Sequence, residues 1–399
     1  MMKAKAATDV HIRINPIDLE VPPIGVLFQH ATVEVEPVLY TGAPLADDST
    51  PHHNHYLRDL NGWYYWAGAM HFDEQQISHV IEAPTHAATA AAWDYAQRLD
   101  FLPSGWRATA GKGMRIAILD TGFTLRHPTL KHLHRPGHLF DATRAGFAER
   151  PGTDPVESRI HHGTQVLSLL GARPSATFPI GGVAPQASFF LIKVADAAGR
   201  IAPQVLIDAL AFAIEHLKVD LINCSVSVRI KAFNSEQRTQ LKAIDQKLNQ
   251  RNVLLCSALP NPGNTFELLT PRKLRMPTAL SNSLRIGAIS PSFFGKFKDK
   301  KFAPEIQVLA TQPTITTCQG TQLVEVPLSS SLATPLLAGI ATMALAHLGG
   351  RDALMQAHLQ APNIVSALLK LLRQKEVLLP LSEYDVDELL FLDPHLPPT

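Results

Sequence analysis

The chain has 399 residues, 46% hydrophobic and 18% charged, with a formal net charge of +1 and three cysteines. This is a globular composition, with material for one large domain or two moderate ones. A charge so near zero excludes a whole-chain field that would draw nucleic acid or an anionic membrane, so neither is expected as a partner. No charge-free apolar run is long enough to span a bilayer, and the first residues lack the apolar core of a signal peptide. Cys224, Cys256 and Cys318 are odd in number and sit in or near apolar segments. They are expected to be reduced, and a cytoplasmic location is expected with them.

Residues 1–95 differ in character from the rest of the chain. They are rich in Pro, His and aromatic residues, with extended-looking runs at Gly25–Gln29 and Ala31–Tyr40. Trp63–Trp66 reads as a buried strand, Leu57–Asp59 as a turn, Asp73–Ile81 as a short helix and Ala87–Arg98 as another. His52, His53 and His55 invite a metal reading, but no second ligand cluster stands at zinc spacing, and a surface loop is expected.

From about Leu99 the pattern becomes strand–helix alternation. Apolar runs at Met114–Asp120, Ser188–Val194, Asp220–Cys224, Val253–Ser257, Leu284–Ser290 and Ile306–Ala310 read as strands. Helical periods cover His162–Arg173, Gln204–Lys218 and Ser235–Gln250. Continuous apolar strands separated by helices predict an α/β fold, with a mostly parallel central sheet covered on both faces. In such sheets the site lies beyond the carboxyl ends of the strands, where Asp120, Asn223, Ser225 and Asn261 fall.

Pro327–Leu348 begins with three serines after Pro327-Leu328 and runs on through small and apolar residues. It reads as a helix buried on every side, with Pro335 in its first turn and Gly339 allowing close packing. On this stretch alone Ser329, Ser330 and Ser331 are either caps or the home of a nucleophile at the helix's positive end.

Four segments together decide between those readings. Asp120 is followed by Thr121 and Gly122; His162 by Gly163 and Thr164; Asn261 lies in L-P-N-P-G-N; Ser331 lies in S-S-S-L-A-T-P. In this order, with Gly182–Pro185 leading into the next strand and L-I-N-C-S-V-S at 221–227, the chain resembles the subtilisin-like serine peptidases. The resemblance covers about Leu99–Lys370. It implies a three-layer subtilisin-like fold over residues 96–375, a propeptide-like or accessory region at 1–95 and a tail at 376–399.

The resemblance also implies a serine endopeptidase acting on peptide or protein substrates, with Asp120, His162 and Ser331 as its triad. Asn261 would be the oxyanion donor, and Ser225, Val226, Ser227, Ala258, Leu259 and Pro260 would bind substrate. No cofactor or catalytic metal is required. Relatives often carry structural calcium, but no carboxylate-rich loop here names a site. Ser329, Ser227 and Pro260 stand where the family has glycine. The last two add volume to the pocket wall, so a selective enzyme preferring Ala, Ser or another small residue before the cleaved bond is expected. The alternatives are a catalytically silent binding protein on the same fold, and a non-peptidase α/β protein whose serines only cap.

Overall fold

In the computed structural model the described residues are 2–13, 25–27, 29–46, 49–59, 64–82, 99, 102–147, 161–174, 181–259, 275–289, 306–309, 314–320, 322–381 and 386–391. The expected helix at Ala87–Arg98 lies outside them. The chain divides into two compact units, the first centred on Met1–Ala91 and the second holding most of Ala92–Thr399.

The first unit is a sheet of eight described strands. They are β1 (Met2–Ala6), β2 (Val10–Arg13), β3 (Gly25–Leu27), β4 (Thr32–Thr41), β5 (His55–Asp59), β6 (Tyr64–Trp66), β7 (Met70–His71) and β8 (His79–Glu82). The order is β3-β2-β6-β5-β4-β1-β7, with β8 added in parallel to β4. Strand β1 alternates buried and exposed residues, the mark of a sheet with one face on a core. Met2, Ala4, Val35 and Leu57 are among the residues filling that core.

Two expectations fail in this unit. Leu57–Asp59 is not a turn but the end of β5, because Tyr56 and Leu57 are fully buried and pair with β4 and β6. Asp73–Ile81 is helical only as the 3₁₀ turn Glu74–Gln76, which Asp73 caps; the rest extends into β8. The histidine stretch is a partly exposed turn over 51–54, with His55 opening β5. The Trp66 indole donates to the carbonyls of His52 and His53, and His52 Nε2 lies 3.1 Å from Glu74 Oε1.

The second unit is built on a sheet of nine described strands. Its first strands are β9 (Arg115–Asp120), β10 (Leu139–Asp141), β11 (Ser188–Lys193) and β12 (Leu221–Cys224). A short strand β13 (Val228–Arg229) follows outside the sheet, then β14 (Leu254–Ala258) within it. After β15 (Arg275–Met276), which pairs with β13, come β16 (Ser283–Ile289) and β17 (Ile306–Leu309). A separate hairpin, β18 (Thr314–Gln319) with β19 (Gln322–Pro327), precedes the last two strands, β20 (Leu379–Leu381) and β21 (Val386–Phe391). The sheet order is β10-β11-β9-β12-β14-β16-β17-β21-β20. All its pairs are parallel except β20 with β21. The C-terminal tail therefore supplies the edge strand β20 and its neighbour β21.

Ile116, Ala117, Ile118 and Leu119 of β9 have no exposed surface, as expected of a strand covered on both faces. Helices Pro203–Glu215 and Ser235–Gln250 form within a residue or three of their predicted bounds. The second opens with a capping box between Asn234 and Gln237.

The serine-led helix runs Ser330–Leu348 and is buried from Leu332 to Leu345. At 19 residues it is long and apolar enough to cross a membrane, contrary to the expectation of no such run, yet it is a core helix inside this unit. A Cβ on Gly339 would come within 2.6 Å of the Val183 side chain, so glycine is needed for the close approach. Truncating fully buried Leu337 to Ala is expected to cost about 2–5 kcal/mol.

All three cysteines are free and buried. Burial pushes the Cys224 thiol up to about 12 and the Cys318 thiol up to about 11, and raises Cys256 as well. They behave as small apolar residues.

Candidate active site

Asp120 is the last residue of β9 and has no exposed surface. His162 is the first residue of the helix His162–Gly171. Its Nδ1 lies 2.7 Å from Asp120 Oδ1. A carboxylate oxygen accepts, so Nδ1 carries the proton, and the neutral ring presents Nε2 as a lone pair. Among the described residues Nε2 has no hydrogen-bond partner, and the side chain keeps 27% of its surface exposed. Burial disfavours the imidazolium. The charge of Asp120 and its hydrogen bond outweigh that effect, and the net shift of the imidazole pKa is upward from 6.5.

The chain around this pair holds it at close quarters. The Thr121 N–H donates to Asp120 Oδ1 (2.7 Å), the Gly163 N–H to Thr121 Oγ1 (3.2 Å) and the Thr124 N–H to Thr164 Oγ1 (2.9 Å). A Cβ on Gly163 would sit 2.3 Å from the Gly122 carbonyl oxygen and 3.0 Å from Asp120. The glycine after the histidine is thus required by contact: any side chain would push the helix off the strand end that carries the carboxylate.

Ser329 is the N-cap residue of the long helix, but its side chain makes no capping hydrogen bond. Capping by the serines, expected as one reading, is not what these hydroxyls do. Ser330 Oγ accepts from the Ala288 N–H of β16 (3.3 Å), and Ser329 Oγ pairs with Ser331 Oγ (2.9 Å). Among the described residues Ser331 makes no hydrogen bond to His162. The Ser331 N–H lies in the first turn, where no intrahelical acceptor exists.

Pro335 is six residues into the helix rather than in its first turn. It has no N–H to give the Ser331 carbonyl four residues back. Ser225 Oγ donates to that carbonyl instead (2.7 Å). The Asn223 side-chain amide donates in turn to Ser225 Oγ (3.2 Å), which ties the end of β12 to the start of the helix.

Ser225, Val226 and Ser227 lie between β12 and β13, and Ala258 ends β14 with Leu259 beside it. Pro260 and Asn261 lie outside the described residues. A contact that sequence reasoning missed joins this region: Arg275 Nη1 donates to Ser227 Oγ (3.1 Å) across 48 residues. No motif marks it, because it arises from the pairing of two-residue strands. Among the described residues no three His, Cys, Asp or Glu side chains gather to hold a metal.

Residues 111–370 match the model of the subtilase family. The chain belongs to that family. As a subtilase it is a serine-type endopeptidase with the α/β subtilisin fold. It is 26% identical over 302 residues to subtilisin NAT of Bacillus subtilis subsp. natto, covering 71% of each chain. It is 28% identical over 247 residues to an intracellular serine protease of Paenibacillus polymyxa, covering 59% of this chain and 68% of that protein. A solved structure of the protease domain of PatA superposes with a TM-score of 0.47 at 20% identity, covering 70% of this chain and 92% of that one.

Proposed function

We propose that this subtilase hydrolyses peptide bonds through an Asp120–His162–Ser331 triad and an acyl-enzyme intermediate. The observation that carries the reading is the 2.7 Å contact between Asp120 Oδ1 and His162 Nδ1, which leaves Nε2 as the free base. Ser331 Oγ attacks the scissile carbonyl while His162 Nε2 takes its proton, then returns it to the leaving amine. Asp120 holds the tautomer and stabilises the imidazolium. The Ser331 N–H and the Asn261 side-chain amide donate to the oxyanion, and water enters by the same route to release the acyl group. The Ser329–Ser331 hydrogen bond must give way as substrate binds, since catalytic hydrogen bonds in an empty site often tighten only in the complex.

Substrate backbone is placed along Ser225–Ser227, with Ala258, Leu259 and Pro260 as the facing wall, and the enzyme is selective rather than broad. The first unit acts as a propeptide or as a retained accessory domain. Three free, buried cysteines and kinship with an intracellular serine protease favour work inside the cell. A catalytically silent binding protein is not favoured, because membership of a peptidase family argues for turnover.

The test is labelling by a fluorophosphonate probe, followed by peptide mapping. The expected adduct is on Ser331, blocked by prior reaction with a serine-protease inhibitor. Absence of labelling, or an adduct on another residue, rejects the assignment.

A further inference from the structure

Ser331 joins two peptide units. The first carries the Ser330 carbonyl and the Ser331 N–H, the second the Ser331 carbonyl and the Leu332 N–H. Each carbonyl takes a side-chain hydroxyl. Thr334 Oγ1 donates to the Ser330 carbonyl (2.7 Å), and Ser225 Oγ donates to the Ser331 carbonyl (2.7 Å). Thr334 has no exposed surface. Threonine is a poorer helix former than alanine, and inside a helix its hydroxyl commonly bonds the carbonyl four residues back. Buried Thr342 does the same to the Ala338 carbonyl (2.7 Å), about two turns along the same helix. The two threonines differ in the peptide unit they touch. The Ala338 carbonyl shares its amide with the Gly339 N–H, in the helix interior, where the ladder supplies an acceptor. The Ser330 carbonyl shares its amide with the Ser331 N–H, which has no intrahelical acceptor. A hydrogen bond accepted at an amide oxygen draws charge from the nitrogen and strengthens the N–H as a donor. It also fixes the plane of the amide, and with it the direction of the N–H.

We infer that Thr334 is a positioning residue for the oxyanion site: through the Ser330 carbonyl it orients and polarises the Ser331 N–H. The inference rests on the proposed reading of Ser331 as the nucleophile and of its N–H as an oxyanion donor. Ser225 clamps the second peptide unit, so the Ser331 backbone is held on both sides. The Ser331 hydroxyl turns about its own side-chain bond without moving either unit.

The experiment compares threonine variants of the full chain on one fluorogenic peptide and one peptide aldehyde. The aldehyde forms a tetrahedral adduct whose oxygen occupies the oxyanion position. Losing a whole oxyanion donor costs roughly 10²–10³-fold in kcat, and polarisation supplies about 10–30% of a bond's strength. That fraction of the donor's logarithmic worth is a loss of roughly 2–8-fold. Thr334→Val keeps the branched shape and removes the donor. It should lower kcat and weaken aldehyde binding by that same factor, with KM unchanged. Thr334→Ser restores a hydroxyl and should recover most of the loss. Thr342→Val removes an equal bond from the same helix and should behave as wild type. If Thr334→Val does not fold, Thr334→Ala takes its place. Fluorophosphonate labelling of the wild type separates the two levels of failure. A wild type unlabelled at Ser331 sinks the triad reading and this inference with it. With Ser331 labelled, the inference alone is overturned if Thr334→Val keeps wild-type kcat, if its loss appears in KM, or if Thr342→Val loses as much.

Discussion

The two halves of the candidate site are built differently. On the Asp120–His162 side every group is held by contact: the carboxylate is buried, Thr121 donates to it, and Gly163 leaves no room for a Cβ. On the Ser331 side the supports are hydroxyls. Ser330 holds β16, Ser225 takes the carbonyl that Pro335 leaves unpaired, and Ser329 occupies Ser331 itself. Packing contacts cannot rearrange without cost, whereas hydroxyls rotate between partners. On the proposed reading the histidine side is thus the fixed frame, and the serine side is the part expected to adjust when substrate arrives.

The largest expected effect tests whether both halves form one machine. Ser331→Ala and His162→Ala should each lower kcat by about 10⁶-fold, the scale found in a subtilisin, and the double variant should lose little more. Losses that multiply in steady-state assays would show two independent sites.

Asp120→Asn should cost about 10⁴-fold in kcat by favouring the wrong tautomer. The pH profile sharpens this prediction. The His162 pKa is raised, so the acid limb of kcat/KM should lie above 6.5 in the wild type and move down in Asp120→Asn. The sign for stability follows from the same shift. Protonated His162 stabilises the fold, fully so below its unfolded pKa of about 6.5, and this contribution is lost as pH rises through the folded value. Melting curves of wild type and His162→Gln should therefore converge toward alkaline pH; divergence there would contradict the assignment of the ion pair.

Asn261→Ala should lower kcat by roughly 10²–10³-fold with KM little changed, as for an oxyanion donor removed from a subtilisin. An equal rise in KM would make Asn261 a binding residue instead.

The smallest effect probes the adjustable half. Ser329→Gly removes the hydroxyl that competes for Ser331, and glycine at an N-cap costs only tenths of a kcal/mol. The fluorophosphonate labelling rate should rise by roughly 2–10-fold, the net worth of one hydrogen bond. A slower rate would mean that Ser329 positions the nucleophile rather than restraining it.

Much of the second unit was legible because its strands carry local signals. Arg115–Asp120 and Leu221–Cys224 are apolar runs that end at polar residues, and a parallel strand covered on both faces needs little else. Asp120-Thr-Gly and His162-Gly-Thr were legible for a related reason: Gly163 answers a contact with the strand end, and Gly122 takes a φ of 125° that a side chain rarely allows. In the first unit, Leu57–Asp59 and Asp73–Ile81 misled because their pairing partners come from distant sequence, and local propensity does not encode who pairs with whom.

The amino-acid sequence by itself determined the family, the parallel sheet and the burial of Leu332–Leu345. These follow from hydrophobic period and from residue types that chemistry requires at strand ends. Only the tertiary structure decided which hydroxyl holds which. The Ser329–Ser331 pair depends on rotamers at a helix start, Ser225 reaches Ser331 across 106 residues, and Arg275 reaches Ser227 across 48. Hydrogen bonds have ranges of about 3 Å, so their partners are set by how strands β12, β13 and β15 and the long helix come to rest, not by spacing along the chain.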